Sequence, residues 1–186
     1  GCFSNRIEPK YIYEEKRFAY DSIPYQKNMD LRGYFQSYLY FDHHSIIKKM
    51  LTPIHSFNKD DKLCGLHVRR GDYRNYPNVH PLVLKEYYYE CTASLGLKDT
   101  VTLIASDEYN AVAQEFSDIN QHVTSPVYVN THNAIEDMLV LMNCPILAIS
   151  NSTFAWWAAY LGDARIIFAP KTWFGPGGPP NYQDIY

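Results

Sequence analysis

The sequence predicts an α/β fold in which a parallel β-sheet carries helices on both faces. Short apolar runs alternate with segments of helical periodicity from about residue 62 to the end of the chain. Such alternation is typical of strands joined by right-handed helical crossovers. The composition, 46% hydrophobic and 20% charged, suits a folded globular protein of this kind.

Five strands and four helices are predicted in this region. The apolar runs that mark the strands occupy residues 64–68, 100–105, 123–129, 145–149 and 164–169. The helical patterns occupy residues 84–97, 108–116, 133–143 and 153–161. A loop rich in glycine and proline follows at 170–180. Because parallel sheets of this type bind ligands at the carboxyl ends of their strands, any reactive side chains are expected there.

The first third of the chain has a different character. Residues 1–30 are polar, rich in aromatic side chains and weakly periodic, which predicts an irregular lead-in. From about Gly33 apolar side chains recur at helical spacing as far as Leu51, and Pro53 ends that pattern. The sequence therefore divides into a lead-in and helical segment at 1–60 and an α/β domain at 61–186.

The bulk properties exclude several classes of function. A net charge of −3 and an isoelectric point near 6.2 give no general attraction to nucleic acid or to an anionic membrane. No apolar run reaches the ~18 residues of a membrane span, and no signal-peptide pattern is present. The four cysteines form no C-x-x-C pair, which favours reduced thiols. An anionic ligand would therefore have to be held by a local cluster of cations.

Such cations follow the first predicted strand, where residues 67–73 read HVRRGDY. Arg69 and Arg70 offer permanent charge and a planar fork of donors, which suits a phosphate or pyrophosphate. An exposed arginine–aspartate surface loop is the alternative. The tripeptide that begins at Arg70 also spells an adhesion motif, an interpretation that so short a match hardly supports.

Polar side chains also follow the second and fourth strands. Ser106 and Asp107 precede a predicted helix and could simply cap it. Asn151, Ser152 and Thr153 precede another helix, whose free N–H groups could bind an anion or could form an ordinary cap. Two arginines and a helix N-terminus on one sheet could grip the same pyrophosphate.

Asp137 lies on the helix before the fourth strand and could reach the same rim. Its carboxylate could accept from the N–H edge of a guanine, or it could be a solvated helix charge. The sequence contains no G-x-G-x-x-G after a strand, no Walker A motif, no H-E-x-x-H and no D-x-D. These absences predict a site without a metal, where arginine neutralises a departing diphosphate.

Four segments in one order resemble the α1,2-fucosyltransferases of glycosyltransferase family 11. They are GYFQS at 33–37 with YF at 40–41, HVRRGDY at 67–73, NSTFAWW at 151–157 and APKTWF at 169–174. Ala155 stands where serine is common in the family. The segments cover most of the chain from about residue 30 onward, so together they are much more specific than any single motif.

The resemblance implies a Rossmann-like domain similar to the C-terminal half of a GT-B glycosyltransferase. It implies an inverting, metal-independent transfer of L-fucose from GDP-fucose to a galactose hydroxyl of a glycan, in an α1,2 linkage. By analogy Arg69 would contact the β-phosphate and Arg70 would support its loop. Asp72 is a candidate general base. The remaining implied donor contacts are guanine at His67 and Asp137, phosphate at Ser152 and Thr153 beside Asn151, and a less certain role for Ser106 and Asp107.

The chain departs from the family pattern in one respect. It has no segment like G-G-x-G-N-x-M-F-Q, with which the family's N-terminal domain normally begins, so that domain is expected to be missing. A non-catalytic or truncated module that binds a GDP-sugar is therefore the alternative function, and a transferase with another donor is a third. The compartment would be cytoplasmic for a bacterial or viral member and the Golgi lumen for an animal one.

Overall fold

The structure is a computed structural model that describes residues 9–41, 62–96, 100–162, 164–182 and 184–185. The described residues form two compact units. Residues 9–41 and 179–185 make up an N-terminal unit, and residues 62–178 make up an α/β unit. None of the helices in these ranges combines the length and the apolar character needed to cross a membrane.

The N-terminal unit contains a pair of parallel strands where the sequence predicted an irregular lead-in. Strand β1 (Tyr11–Glu14) pairs with β2 (Met29–Arg32), with Tyr11 opposite Met29. Both strands leave apolar side chains exposed, including Ile12 and Leu31. This exposure explains why neither strand shows the apolar pattern by which a buried strand is recognised.

The helix predicted from Gly33 is wrong for residues 33–41. This stretch has a residue with positive φ, Phe35, and only one 3₁₀ turn, at Tyr38–Tyr40. The Glu15 carboxylate accepts hydrogen bonds from the backbone amides of Tyr34 and Phe35, so these amides do not enter a helical ladder. The aromatic spacing reflects ring packing, since Phe35 lies edge-on to Tyr40 at 5.4 Å. Residues 42–51 of the predicted helix lie outside the described residues.

The α/β unit is built on a five-stranded parallel sheet, as predicted. Its strands lie in the order β5–β4–β3–β6–β7, so the first strand of this unit is central. The register places Leu66 of β3 beside Ile104 of β4 and Ala148 of β6. The strands are β3 (Leu63–Val68), β4 (Val101–Ser106), β5 (Pro126–Val129), β6 (Ile146–Ala148) and β7 (Ile166–Phe168).

Four helices connect these strands, close to the predicted positions. They are α1 (Lys85–Ser94), α2 (Tyr109–Glu115), α3 (Ala134–Met142) and α4 (Thr153–Leu161). The strand order reverses after β5, because α3 carries the chain back across the sheet to β6 on the other side of β3. Right-handed crossovers in opposite directions place helices on opposite faces.

Side-chain packing confirms that both faces of the sheet are covered. Alternate residues of β3 point to one face and pack there with Tyr88 of α1 and Phe116 after α2. On the other face Gly65 leaves room for Leu141 of α3 and for Leu147, both of which a Cβ would crowd. The central strand is buried from Cys64 to Val68, so the residues that follow it start from a fixed position.

Candidate functional site

The carboxyl ends of β3 and β6 meet at the point where the strand order reverses. In open α/β sheets this is the crevice in which ligands bind. A hydrogen bond joins the two strand ends, since His67 Nδ1 at the end of β3 lies 2.8 Å from Ser150 Oγ after β6. The loop that begins at Arg69 and the N-terminus of α4 both start from this pair of strands.

Arg69 is the predicted site residue with a partly exposed cationic side chain in this crevice. Its guanidinium contacts Asp72 Oδ1 at 2.6 Å and Asp107 Oδ2 at 3.1 Å, and its side chain is 29% exposed. The guanidinium carbon also lies 5.3 Å from the ring centre of Tyr73, within cation–π distance. Two carboxylates and an aromatic ring thus hold the charge in place at the edge of the sheet.

Arg70 points the other way and is 1% exposed. Its Nε and Nη2 donate to the two carboxylate oxygens of Glu115, at 2.9 and 2.6 Å, and its Nη1 donates to the Arg69 carbonyl at 2.9 Å. Its guanidinium is therefore occupied inside the protein. The position of Arg70 supports the loop and does not offer its side chain to a ligand.

Asp107 fixes the same loop from the end of β4. Its Oδ1 accepts from the Arg70 backbone amide at 2.9 Å, while its Oδ2 pairs with Arg69. The loop passes so close that a Cβ at Gly71 would overlap Asp107 Oδ2. The sequence predicted helix capping by Ser106 and Asp107. The structure gives that role to neither, because the N-cap of α2 is Glu108 and no side chain caps the helix there. Ser106 Oγ accepts from the Glu108 amide at 3.1 Å, in the turn before the helix.

His67 is buried, with 4% of its surface exposed. Burial and the nearby Arg69 charge lower the pKa of His67 to about 3, so the imidazole is neutral near pH 7. Its ring also lies 5.3 Å from that of Phe154 in α4. In this arrangement His67 joins β3 to the start of α4, and its Nδ1 already has a partner in Ser150.

Asn151 connects three loops at the crevice. Its Nδ2 donates to the carbonyls of Pro81 at 3.0 Å and Trp173 at 2.9 Å, and its own carbonyl accepts from the Tyr73 hydroxyl at 2.8 Å. Ser152 is the N-cap of α4, but its side chain makes no capping hydrogen bond. Thr153 follows as the first residue of that helix.

Asp137 lies in the first turn of α3, after the edge strand β5, two positions from β3 in the sheet. Its Oδ1 accepts from the Thr131 hydroxyl at 2.7 Å. The contacts of Asp137 therefore order the loop between β5 and α3. This loop lies at the carboxyl ends of the strands, as His67 does. No hydrogen bond links Asp137 to the other predicted site residues in the described part of the chain.

Three residues that contact Tyr73 each have a buried polar side-chain atom with no hydrogen-bond partner among the described residues. The atoms are Arg69 Nε, Asn151 Oδ1 and His80 Nδ1. The His80 ring stacks on Tyr73, with 4.5 Å between centres and 19° between planes. Buried polar groups are nearly always paired in folded proteins, so these three atoms are candidates for contact with a polar ligand or ordered water.

Sequence reasoning missed His80 and Glu115. His80 lies twelve residues after the end of β3, and no local pattern connects it with Arg69. Glu115 ends a helix, where an exposed acidic residue is ordinary. Only the buried position of Arg70 gives Glu115 its role. Within the described ranges, no three His, Cys, Asp or Glu side chains group in a way that could hold a metal ion.

Comparison with known proteins places the chain among glycosyltransferases. The sequence model of Glycosyl transferase family 11 matches residues 4–176. An Alpha-1,2-colitosyltransferase of Escherichia coli is 26% identical over 190 residues, covering 89% of this chain and 65% of that protein. The O-antigen biosynthesis glycosyltransferase WbnK of Escherichia coli is 26% identical over 202 residues, covering 94% and 66%. The chain thus spans about two thirds of the length of these relatives.

Proposed function

The chain belongs to glycosyl transferase family 11, and from that premise we propose that it transfers L-fucose from GDP-fucose to a galactose hydroxyl of a glycan. The proposed reaction forms an α1,2 linkage with inversion and needs no metal. The name of one relative, an Alpha-1,2-colitosyltransferase, supports the linkage. The observation that carries the proposal is the position of Arg69, whose partly exposed guanidinium lies where the strand order reverses between β3 and β6.

A diphosphate suits this setting for electrostatic and hydrogen-bonding reasons. Arg69 presents a permanent charge that is partly exposed, and its Nε–H has no partner among the described residues. The amides at the start of α4 add the partial positive charge of a helix N-terminus beside the same strands. The family premise supplies the identity of the ligand, and the geometry supports a β-phosphate near Arg69.

The proposed step needs charge stabilisation above all. The bond from the fucose anomeric carbon to the β-phosphate oxygen breaks, and its electron pair leaves with GDP. The acceptor oxygen attacks from the opposite face and gives up its proton. Arg69 would stabilise the growing charge on the phosphate more strongly in the transition state than in the ground state.

The other predicted residues take supporting roles in this proposal. Ser152 and Thr153 would meet phosphate from the start of α4, and His67 and Asp137 would lie toward the guanine. Asp72 is the proposed base for the acceptor hydroxyl. Its Oδ1 also pairs with Arg69 at 2.6 Å, so Asp72 orients that guanidinium as well. Asp72→Asn and Asp72→Ala should therefore separate orientation of Arg69 from proton transfer, because asparagine can still accept a hydrogen bond.

A donor competition tests the proposal. The chain is assayed for sugar transfer to a galactose-terminated oligosaccharide in EDTA, with GDP-fucose as donor and GDP-mannose or UDP-galactose as competitor. We expect transfer of fucose, inhibition by GDP and little effect of UDP-galactose. Transfer from UDP-galactose, or transfer that stops in EDTA and returns with Mg²⁺, would contradict the assignment.

A second candidate is a module that binds a GDP-sugar without transferring it. The observation behind it is that the chain covers only 65% and 66% of the two relatives. This candidate predicts GDP binding that depends on Arg69 together with no transfer to any acceptor. Product analysis by mass spectrometry, run beside a binding titration on the same preparation, distinguishes the two.

A further inference from the structure

The buried arginine of the HVRRGDY segment is held by a residue outside that segment. Arg70 and Glu115 form a two-bond, fork-to-fork pair between the loop after β3 and the last residue of α2. Arg70 is 1% exposed and the Glu115 side chain 31%. A pair of parallel hydrogen bonds fixes the plane of the guanidinium as well as its distance, which a single bond does not.

The guanidinium of Arg70 is hydrogen-bonded to the backbone of Arg69. Arg70 Nη1 donates to the Arg69 carbonyl at 2.9 Å, so the plane set by Glu115 also fixes the peptide that carries Arg69. On the other side of the loop, Asp107 holds the Arg70 amide at 2.9 Å. The backbone at Arg69 and Arg70 is therefore fixed from α2 and from β4.

The buried charge of Arg70 requires the carboxylate of Glu115. An arginine buried this deeply is costly unless a carboxylate compensates it. The Arg70 hydrogen bonds hold the pKa of Glu115 below its ordinary value, so the carboxylate is charged near neutral pH. Arg74 Nη2 lies 3.9 Å from Glu115 Oε2, and the charges of Arg74 and Lys85 lower the same pKa further.

We infer that Glu115 is a positioning residue for the phosphate site: through Arg70 it holds the loop that aims Arg69 at the β-phosphate of the donor nucleotide. This inference rests on the proposed function, because it assigns Arg69 to a phosphate. It concerns the terminal phosphate and not the base. Loss of Glu115 should therefore reduce the preference for GDP over GMP.

The test compares dissociation constants for GDP and GMP in the wild-type chain and in two replacements. Glu115→Gln keeps the size of the side chain and one acceptor. The double variant Arg70→Met with Glu115→Leu replaces the ion pair by apolar side chains of similar volume, a change that buried ion pairs often tolerate without loss of stability. We expect GDP to lose about tenfold in affinity in the double variant, a change of ~1.4 kcal/mol, and GMP to change less than twofold.

Asp118→Asn is the matched control. It removes a different ion pair, to Lys85 at 2.8 Å, three residues beyond Glu115. This variant should keep the wild-type ratio of the two dissociation constants. Each protein is first checked for a native circular dichroism spectrum and a cooperative thermal transition.

The outcomes separate the inference from the proposed function. A folded double variant with the wild-type preference for GDP would overturn the positioning role and leave the proposed function intact. If Asp118→Asn lost the preference for GDP over GMP as much as the double variant, a general loss of stability would explain both results. That outcome would also overturn the positioning role. A wild-type chain that does not bind GDP at millimolar concentration would overturn the proposed function and, with it, this inference.

Discussion

Replacing Asn151 should destabilise the α/β unit strongly, because one side-chain amide joins loops that are far apart in sequence. Its Nδ2 satisfies the carbonyl of Trp173 in a buried position and that of Pro81 in a partly buried one. Asn151→Ala leaves both carbonyls without this donor. A buried carbonyl that loses its partner costs about 1–3 kcal/mol and a partly buried hydrogen bond about 0.5–1.5 kcal/mol.

The sum is about 1.5–4.5 kcal/mol. Removal of Oδ1, a buried atom with no partner in the described residues, offsets part of it. We therefore expect about 2–3 kcal/mol, or roughly a 1 M fall in the urea midpoint for a slope of 2–3 kcal/mol/M. Asn151→Asp should be at least as damaging, since both carboxylate oxygens would face carbonyl oxygens.

The assay is urea denaturation followed by tryptophan fluorescence at pH 7. Asn143→Ala is the control, because Asn143 makes one partly buried hydrogen bond, to the Leu139 carbonyl at 2.6 Å. That variant should lose only about 0.5–1.5 kcal/mol. If Asn151→Ala lost no more than Asn143→Ala, the view of Asn151 as the tie between these loops would be refuted.

Two other predictions concern groups buried in the same unit. The pKa of His67 lies at about 3 in the folded chain, below its ordinary value of ~6.5. As pH falls, the unfolded chain therefore binds a proton at His67 before the folded chain does, and the free energy of unfolding decreases. His67→Gln should reduce this decrease between pH 6.5 and 4.5 by up to about 1.4 kcal/mol per pH unit. Urea denaturation at several pH values measures it, and an unchanged slope would contradict the prediction. Burial raises the pKa of the Cys64 and Cys144 thiols to about 12. A Cys2→Ser background keeps these two thiols and that of Cys91, which is also buried. All three should resist Ellman's reagent until the protein unfolds, and prompt reaction in the native state would contradict their burial.

The sequence predicted the α/β unit well because its strands are buried on both faces. Short continuous apolar runs such as 64–68 and 145–149, placed between helical segments, are typical of buried strands. The helices between the strands begin and end close to the predicted residues. The N-terminal unit was predicted poorly for the opposite reason. The side chains of β1 and β2 are mostly exposed, and aromatic packing around Phe35 imitated helical spacing.

For the candidate site, the local pattern identified which loops meet but not what each side chain does there. Arg69 and Arg70 are neighbours in an identical chemical context, yet one faces the crevice and the other is buried on Glu115. Asp107 was expected to cap a helix or to lie near the donor, and its carboxylate holds the Arg69 loop. These differences arise from partners 37 and 45 residues away, which no local pattern encodes.

The most direct test of the account is a calorimetric titration of GDP, in EDTA, into the wild-type chain, Arg69→Ala and Arg165→Ala. Arg165 is exposed at the start of β7, on the opposite edge of the sheet, and controls for the loss of one positive charge. The account predicts binding by the wild-type chain, an affinity about ten- to a hundredfold weaker for Arg69→Ala, and near wild-type affinity for Arg165→Ala. Absence of GDP binding by the wild-type chain at millimolar concentration, or equal binding by Arg69→Ala, would contradict it.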